Sequence, residues 1–288
     1  MGTATQPRAL VISSAVTSGY VGNNASTFAL QRLGFEVIAV PTVLLTTHTG
    51  HAGVSGRRLP ADQVAELIDG LIGQGLLDNL DLVLSGYLGS PENTTAVAAA
   101  VRHAKSASPG CRYACDPVLG NRRAGTYVAP GIVAAIAEEL APLADVLTPN
   151  HYELELLSGG SSLDTALLAL AGESRTVLVT SLEDPRVPPG AIGTLLYDGT
   201  CAPQDGAGGG GAPARIAHRP RIDVPGHGAG DLTAALFAGL LALGRTAEDA
   251  WNLTLDTVWA VLAADPHSRA ELPLIAAQDR IRSLAEDA

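Results

Sequence analysis

The sequence predicts an α/β fold, a three-layer α/β/α arrangement in which a central, mostly parallel sheet is covered by helices on both faces and carries a β-hairpin extension. Three observations predict it. Short apolar runs alternate with longer amphipathic ones as far as residue 181, two neighbouring extended runs follow, and the last third is helical in pattern.

The alternation begins with RALVISS at 8–14, a strand, followed by a helical stretch after the glycines near residue 22 and a second strand, FEVIAVPT, at 35–42. ADQVAELIDGLIGQG at 61–75 predicts a helix, DLVLSG at 81–86 a strand, and PENTTAVAAAVRHAK at 91–105 a helix with Pro91 near its start. CRYACD at 111–116, ADVLTP at 144–149 and TVLVTS at 176–181 are further buried strands. Strands separated by crossover helices build a parallel sheet buried on both faces, and their apolar runs are therefore nearly continuous. AIGTLLYD at 191–198 and ARIAHRP at 214–220 predict the hairpin, joined by CAPQDGAGGGGAP. That Gly-rich connector resembles a phosphate loop only in composition: no Lys-Ser or Lys-Thr follows it and no helix opens there. From Gly230 onward the pattern is helical, and no internal repeat or interdomain linker interrupts residues 1–288, which we expect to form one domain.

Composition narrows the function. A chain of 288 residues with 47% hydrophobic content can bury a large core. Its net charge of -11 argues against nucleic acid or an anionic membrane as partner, because those are bound through clustered Lys and Arg. Lys105 is the only lysine, so no Walker-type lysine is available, and a phosphate ligand would be met by backbone amides, a metal and one or two Arg. Cys111, Cys115 and Cys201 are not spaced as a redox or zinc pair and are expected to be inert thiols in a reducing cytoplasm. The N-terminal apolar stretch is too short for a secretory signal, and no run reaches the roughly 18 apolar residues of a membrane span, so a cytoplasmic location is expected.

DVPGHGAGDLTAALFAGLLALG at 223–244 carries the most chemistry. An extended segment passes through glycines into a strongly apolar helix, so successive N–H groups converge at a helix N-terminus and form an anion hole. Asp231 falls in the first turn beside the amides of Gly228, Ala229 and Gly230, where a carboxylate can take a proton from an attacking hydroxyl while the amides stabilise a transferring phosphoryl group. The plain alternative is an Asp that complements a helix dipole. A second acidic group lies at predicted strand ends, where open α/β sheets place ligands. Asp116 ends one strand; Asn150 and Glu153, three apart, open a helix after the next. Such oxygen donors suit Mg held through water and ATP phosphates, and the plain alternative is a helix capped by Asn150 with a solvated Glu153.

Together these strings resemble the ribokinase superfamily, and within it the pyridoxal kinase branch. The supporting pieces span almost the whole chain: Ser14 followed by GYVGNNAS, PTVLLTTHTG at 41–50, LSGYLGS at 84–90, CDPVLG at 115–120, YVAPG at 127–131, LTPNHYELELLSG at 147–159, GAGD at 228–231 and AAQDRI at 276–281. LSGYLGS and CDPVLG are fairly specific to pyridoxal kinases, whereas GAGD marks only the superfamily. The resemblance implies a ribokinase-like fold and Mg-ATP-dependent phosphorylation of the 5'-hydroxymethyl group of pyridoxal, with pyridoxine and pyridoxamine as related substrates. It implies Ser14 at the polar edge of the pyridine ring, Val16 packed on the ring, and Thr46, His48 and Tyr87 lining the same pocket. It implies Asp116, Asn150, Glu153 and Thr180 around Mg and the ATP phosphates together with Gly228 and Gly230, with Asp116 and Glu153 holding the metal partly through water, and Asp231 as catalytic base. Residues 121–127 correspond to a flap over the site, where Arg122 or Arg123 could meet phosphate charge. A homodimer is implied too, and a monovalent cation such as K+ is raised as a cofactor, a requirement the sequence itself does not show.

Three features depart from the family's pattern: Ala15 and Ser18 where an aromatic or histidine is common, His227 directly before the GAGD glycines, and the apparent insertion at 201–213. The departures leave two other readings. Hydroxymethylpyrimidine also bears a hydroxymethyl group, but the flap here carries no cysteine and the substrate strings favour pyridoxal. A non-catalytic pyridoxal-phosphate-binding homologue would not need a base beside an anion hole.

Overall fold

The computed structural model describes residues 6–172, 175–199, 214–222, 227–264 and 271–286. Nine strands form one sheet: β1 (Arg8–Val16), β2 (Glu36–Leu45), β3 (Gly56–Arg58), β4 (Leu82–Ser85), β5 (Arg112–Cys115), β8 (Val146–Leu147), β9 (Thr176–Leu182), β10 (Ala191–Asp198) and β11 (Arg215–Pro220). Their spatial order is β11-β10-β9-β8-β5-β4-β1-β2-β3. From β2 to β9 every neighbouring pair is parallel, while β3 at one end and β10 and β11 at the other pair antiparallel. The predicted hairpin is therefore a continuation of the sheet edge, and its Gly-rich connector at 201–213 lies outside the described residues.

Successive side chains of β1 explain the two covered faces. Leu10 and Ile12 enter one core with Val83, Tyr113 and Val179, whereas Ala9 and Val11 enter the other with Leu84, Ala114 and Leu178. The first core is closed by α2 (Ala61–Gly73), α3 (Asn93–Ala107), α5 (His151–Leu157) and α6 (Leu163–Ala171). The second is closed by α1 (Asn23–Arg32), α7 (Ala229–Ala242), α8 (Ala247–Ala264) and α9 (Gln278–Glu286). Residues Leu232–Leu241 of α7 are buried without interruption, as expected of a helix apolar on every side. It packs so closely on α1 that a Cβ on Gly239 would lie 2.8 Å from both Leu30 Cδ2 and Leu33 Cδ1.

One sequence expectation is corrected and one segment gains detail. The strand expected over 144–149 is regular only at Val146 and Leu147; beyond them Thr148 N still donates to Cys115 O and Pro149 O accepts from Thr180 N before the chain turns into α5. The flap segment contains its own two-stranded ribbon, β6 (Gly120–Asn121) with β7 (Gly125–Thr126), turned by Asn121 Oδ1 accepting the amides of Arg123 and Ala124. The short helix α4 (Ile132–Ala135) and two helical turns that follow it, Ile136–Leu140 and Ala141–Leu143, lead from this ribbon to β8.

Phe237 is fully buried at the centre of the second core. Phe237→Ala should lower the unfolding free energy by about 3–5 kcal/mol. A urea transition whose midpoint falls with unchanged slope would report it, and an unchanged midpoint would remove Phe237 from that position.

Candidate active site

The C-terminal ends of the parallel strands open into a cleft with a volume of about 440 Å³, bounded on one side by the flap and on the other by α7 and α8. It gathers Asp116, Asn150, Glu153, Thr180, Gly228, Ala229, Gly230 and Asp231 around one space. An apolar wall of Leu255, Val258, Trp259 and Leu262 from α8 faces them, a feature with no local sequence signal because α8 is amphipathic like its neighbours.

Gly228 precedes α7 with φ of 85°, a conformation that disfavours any side chain, and a Cβ there would collide with the carbonyl oxygen of Tyr20. The approach sets the helix start against the β1–α1 turn. Asp231 in the first turn of α7 is half-buried, open only toward the cleft. Desolvation pushes its carboxyl up to about 6, against the opposing effect of hydrogen bonds from the Gly22 amide and its own amide.

Asp116, at the end of β5, is buried and accepts a hydrogen bond from Thr148 Oγ1 at 3.0 Å. Desolvation, then the carboxylates of Glu153 and Asp231, hold it well above the usual carboxylate range. Glu153 completes a capping box with Asn150: its amide donates to Asn150 Oδ1 at 3.0 Å, and its Oε2 accepts the Asn150 amide at 2.9 Å. Its Oε1 accepts from Leu119 N and Gly120 N, while Asn150 Nδ2 donates to Gly120 O, so both residues tie α5 to the root of the flap. Burial pushes Glu153 up to about 7 despite these amides. Capping by Asn150 is thus realised, but Glu153 is buried rather than solvated and lines the cleft.

The five residues assigned to a ring pocket lie outside that lining, on and beside strands β1, β2 and β4. Gly22 connects them, since its amide faces Asp231 while its α-carbon lies against Ser14 Oγ. Tyr87 is fixed through its amide, which donates to Ser13 Oγ at 3.0 Å. A Cβ on neighbouring Gly86 would lie 3.8 Å from Asp231 Oδ1. Val16 is buried and Thr46 exposed, its hydroxyl accepting from Ser55 N. His48 is buried, with its ring stacked at 4.3 Å on His227, which itself lines the cleft. Ala15 points instead into a shallow depression with Tyr20, Phe28 and Ala39, so its small size does not reshape the cleft. Arg122 is engaged by Glu155 at 2.9 Å and Glu183 at 3.2 Å, and Cys111 and Cys115 are buried thiols pushed up to about 12 by desolvation. Sequence reasoning missed Thr148, Ser13 and the Gly22 amide, whose roles depend on strands meeting in space.

The profile of the phosphomethylpyrimidine kinase family matches residues 21–183. A pyridoxal kinase of Leifsonia xyli is 39% identical over 277 residues, covering 94% of each chain, and one of Deinococcus radiodurans is 39% identical, covering 96% of this chain and 93% of its own. The chain belongs to the pyridoxal kinase family. Among solved structures, the pyridoxal kinase of Leishmania donovani in complex with ADP and pyridoxine superposes with a TM-score of 0.82 at 27% identity, covering 96% of this chain and 95% of that one. The pyridoxal kinase fold therefore accounts for the nine-stranded sheet and for the position of the cleft at its strand ends. Among the described residues no helix is long and apolar enough to cross a membrane.

Because the Asp231 carboxyl is raised on folding, its protonated form is the more stable one in the native state. The stability this gives is present at low pH and is lost as pH rises through about 6. Asp231→Asn should accordingly melt higher than the parent protein at pH 8, with the difference vanishing toward pH 4 in paired thermal scans. Equal melting temperatures at pH 8 would contradict a desolvated carboxylate at this position.

Proposed function

We propose that the protein transfers the γ-phosphoryl group of ATP to the 5'-hydroxymethyl group of pyridoxal, with pyridoxine and pyridoxamine as further substrates. The observation that carries this reading is the position of Asp231. Its desolvated carboxylate stands between a nucleotide-sized cleft and the Ser14, His48 and Tyr87 side, beside the amides of residues 228–230. The hydroxyl of the substrate attacks the γ-phosphorus, its proton passes to Asp231, and ADP leaves with the bridging oxygen. The Gly228, Ala229 and Gly230 amides receive the negative charge of the transferring group, as suits a site with no nearby lysine.

The apolar α8 wall offers a surface for the adenine, leaving the phosphates toward Asn150, Thr180 and the glycines. Asp116, Glu153 and Asp231 form a carboxylate trio for which no lysine or arginine contributes among the described residues, so a divalent cation fits the donor set. Asp116 and Glu153 would hold Mg, which offsets phosphate charge when bound. Ser14 would meet the polar edge of the pyridine ring, Val16 its face, and Thr46, His48 and Tyr87 the remaining substituents. The flap ribbon would exclude water, a competing nucleophile. A cytoplasmic homodimer is the working form this reading carries; a monovalent cation such as K+ is left to the assay.

The test is product formation from Mg-ATP with pyridoxal, pyridoxine, pyridoxamine and hydroxymethylpyrimidine side by side, with and without K+. Pyridoxal should be preferred. Preference for the pyrimidine would keep the mechanism and move the substrate, and no turnover of any would sink the reading. Asp231→Asn should lower kcat by about 100-fold or more with ADP affinity nearly unchanged, the scale of a general base. Because only ionised Asp231 accepts the proton, activity should fall as pH drops through about 6. A flat acid limb would assign the proton elsewhere.

A further inference from the structure

Glu271 opens the C-terminal segment, and its carboxylate is the meeting point of loops that are remote in sequence. Its Oε2 accepts the Tyr20 amide at 3.0 Å. Its Oε1 lies 3.5 Å from His48 Nε2 and 3.2 Å from His51 Nε2. Gly19, at φ of 110°, lies directly under the carboxylate, which occupies the space any Cβ there would need.

His48, His51 and Glu271 have the residue types of a transition-metal site, and both imidazole Nε2 atoms approach Glu271 Oε1 near the roughly 3.3 Å separation of ligands held about 2.0–2.1 Å from a tetrahedral ion. The hydrogen bonding decides against that use. The Gly50 amide donates to His48 Nδ1 at 3.1 Å, so Nδ1 presents its lone pair to Gly50 and the ring proton belongs on Nε2, which faces Glu271. An Nε2–H has no lone pair for a metal. The arrangement is a carboxylate that accepts the Tyr20 amide and faces the Nε2 atoms of both His48 and His51.

The consequences reach both halves of the site. Tyr20 presses its carbonyl against Gly228, at the start of the anion hole, and the His48 ring stacks on His227, the residue before that glycine. We propose that Glu271 is a positioning residue for substrate recognition, fixing the His48 ring and the Tyr20 turn in the arrangement that receives the pyridoxal ring beside the anion hole. The inference rests on the functional reading above, in which His48 meets the substrate. A carboxylate suits the place because both of its oxygens can only accept, one from the Tyr20 amide and the other from the His48 Nε2–H, whereas a glutamine turns one end into a donor facing another donor.

Glu271→Gln tests this. The KM for pyridoxal should rise by roughly ten-fold, the scale of one lost hydrogen bond to a charged group. The KM for ATP should stay near its parent value and kcat should fall far less than pyridoxal affinity. Nitrogen-15 imidazole spectra should show His48 leaving its Nε2–H tautomer for a mixture. If both KM values, kcat and the melting temperature decline together, Glu271 is only a structural tie and the proposal is overturned. Unchanged pyridoxal KM in a protein whose parent turns over pyridoxal overturns the proposal alone. A parent with no pyridoxal turnover removes the functional reading and this role with it. Equimolar Zn2+ should leave the melting temperature and the His48 signals unmoved; stabilisation by Zn2+ that vanishes in Glu271→Gln would make the cluster a metal site and overturn the clamp.

Discussion

The site depends on a close backbone approach: Gly228 at the head of α7 lies against the Tyr20 carbonyl, and one turn later the Asp231 carboxylate receives the Gly22 amide. Both contacts join the same β1–α1 turn to the same helix start. Neither would hold if α7 could slide, and it is held because Leu232–Leu241 are buried on every side and Gly239 lets α1 come close. A helix apolar all round has no solvent face along which to shift its register. The core thus fixes the carboxylate and the neighbouring amides with little freedom to reorganise, which is what charge stabilisation during phosphoryl transfer needs.

That rigidity has an electrostatic cost. Asp116, Glu153 and Asp231 are brought together at the ends of the strands, and all three carboxyl groups are raised. The fold keeps them there because the surrounding burial is so extensive that local repulsion is a small part of the total. An acidic chain with one lysine, itself committed to Asp145 at the far side of β5, has no spare ammonium to place among them. Donors of another kind must meet a polyphosphate here, and those present include main-chain amides and the Arg219 and Arg221 side chains that also line the cleft. The overall charge and the local design are therefore consistent.

Much of this was legible in the chain, and the reason is periodicity. Strands buried on both faces leave apolar runs such as RALVISS and TVLVTS, and the glycines before Asp231 announce a helix start that must expose its amides. The helix-forming segments at 61–73 and 93–107 were visible for the same reason. What stayed hidden was set by partners distant in sequence. The strand before Asn150 is cut to Val146 and Leu147 by the turn into α5. His48, in a Thr-rich loop that suggests surface, is buried because residues 227 and 271 close over it. Arg122, one of two arginines that could meet phosphate charge or simply be solvated, is held by Glu155 and Glu183, whose proximity no local pattern reveals.

Asn150 and Glu153 show how a structural and a functional reading of the same residues can both hold. A carboxylate offers about four lone-pair directions, and Glu153 uses three of them on the amides of Asn150, Leu119 and Gly120. Those bonds fix its orientation and leave it little capacity for direct coordination. Asp116 has Thr148 as its hydrogen-bonding side chain and retains more of its oxygen surface toward the cleft. Were a cation held here, as proposed, Asp116 would be the better direct ligand and Glu153 would suit a water in its shell. Since Glu153 also grips Gly120 at the root of the flap ribbon, the charge at the cleft floor and the position of the flap are set through one side chain. A helix cap is well suited to that double task, because the same bonds that start α5 hold the carboxylate still.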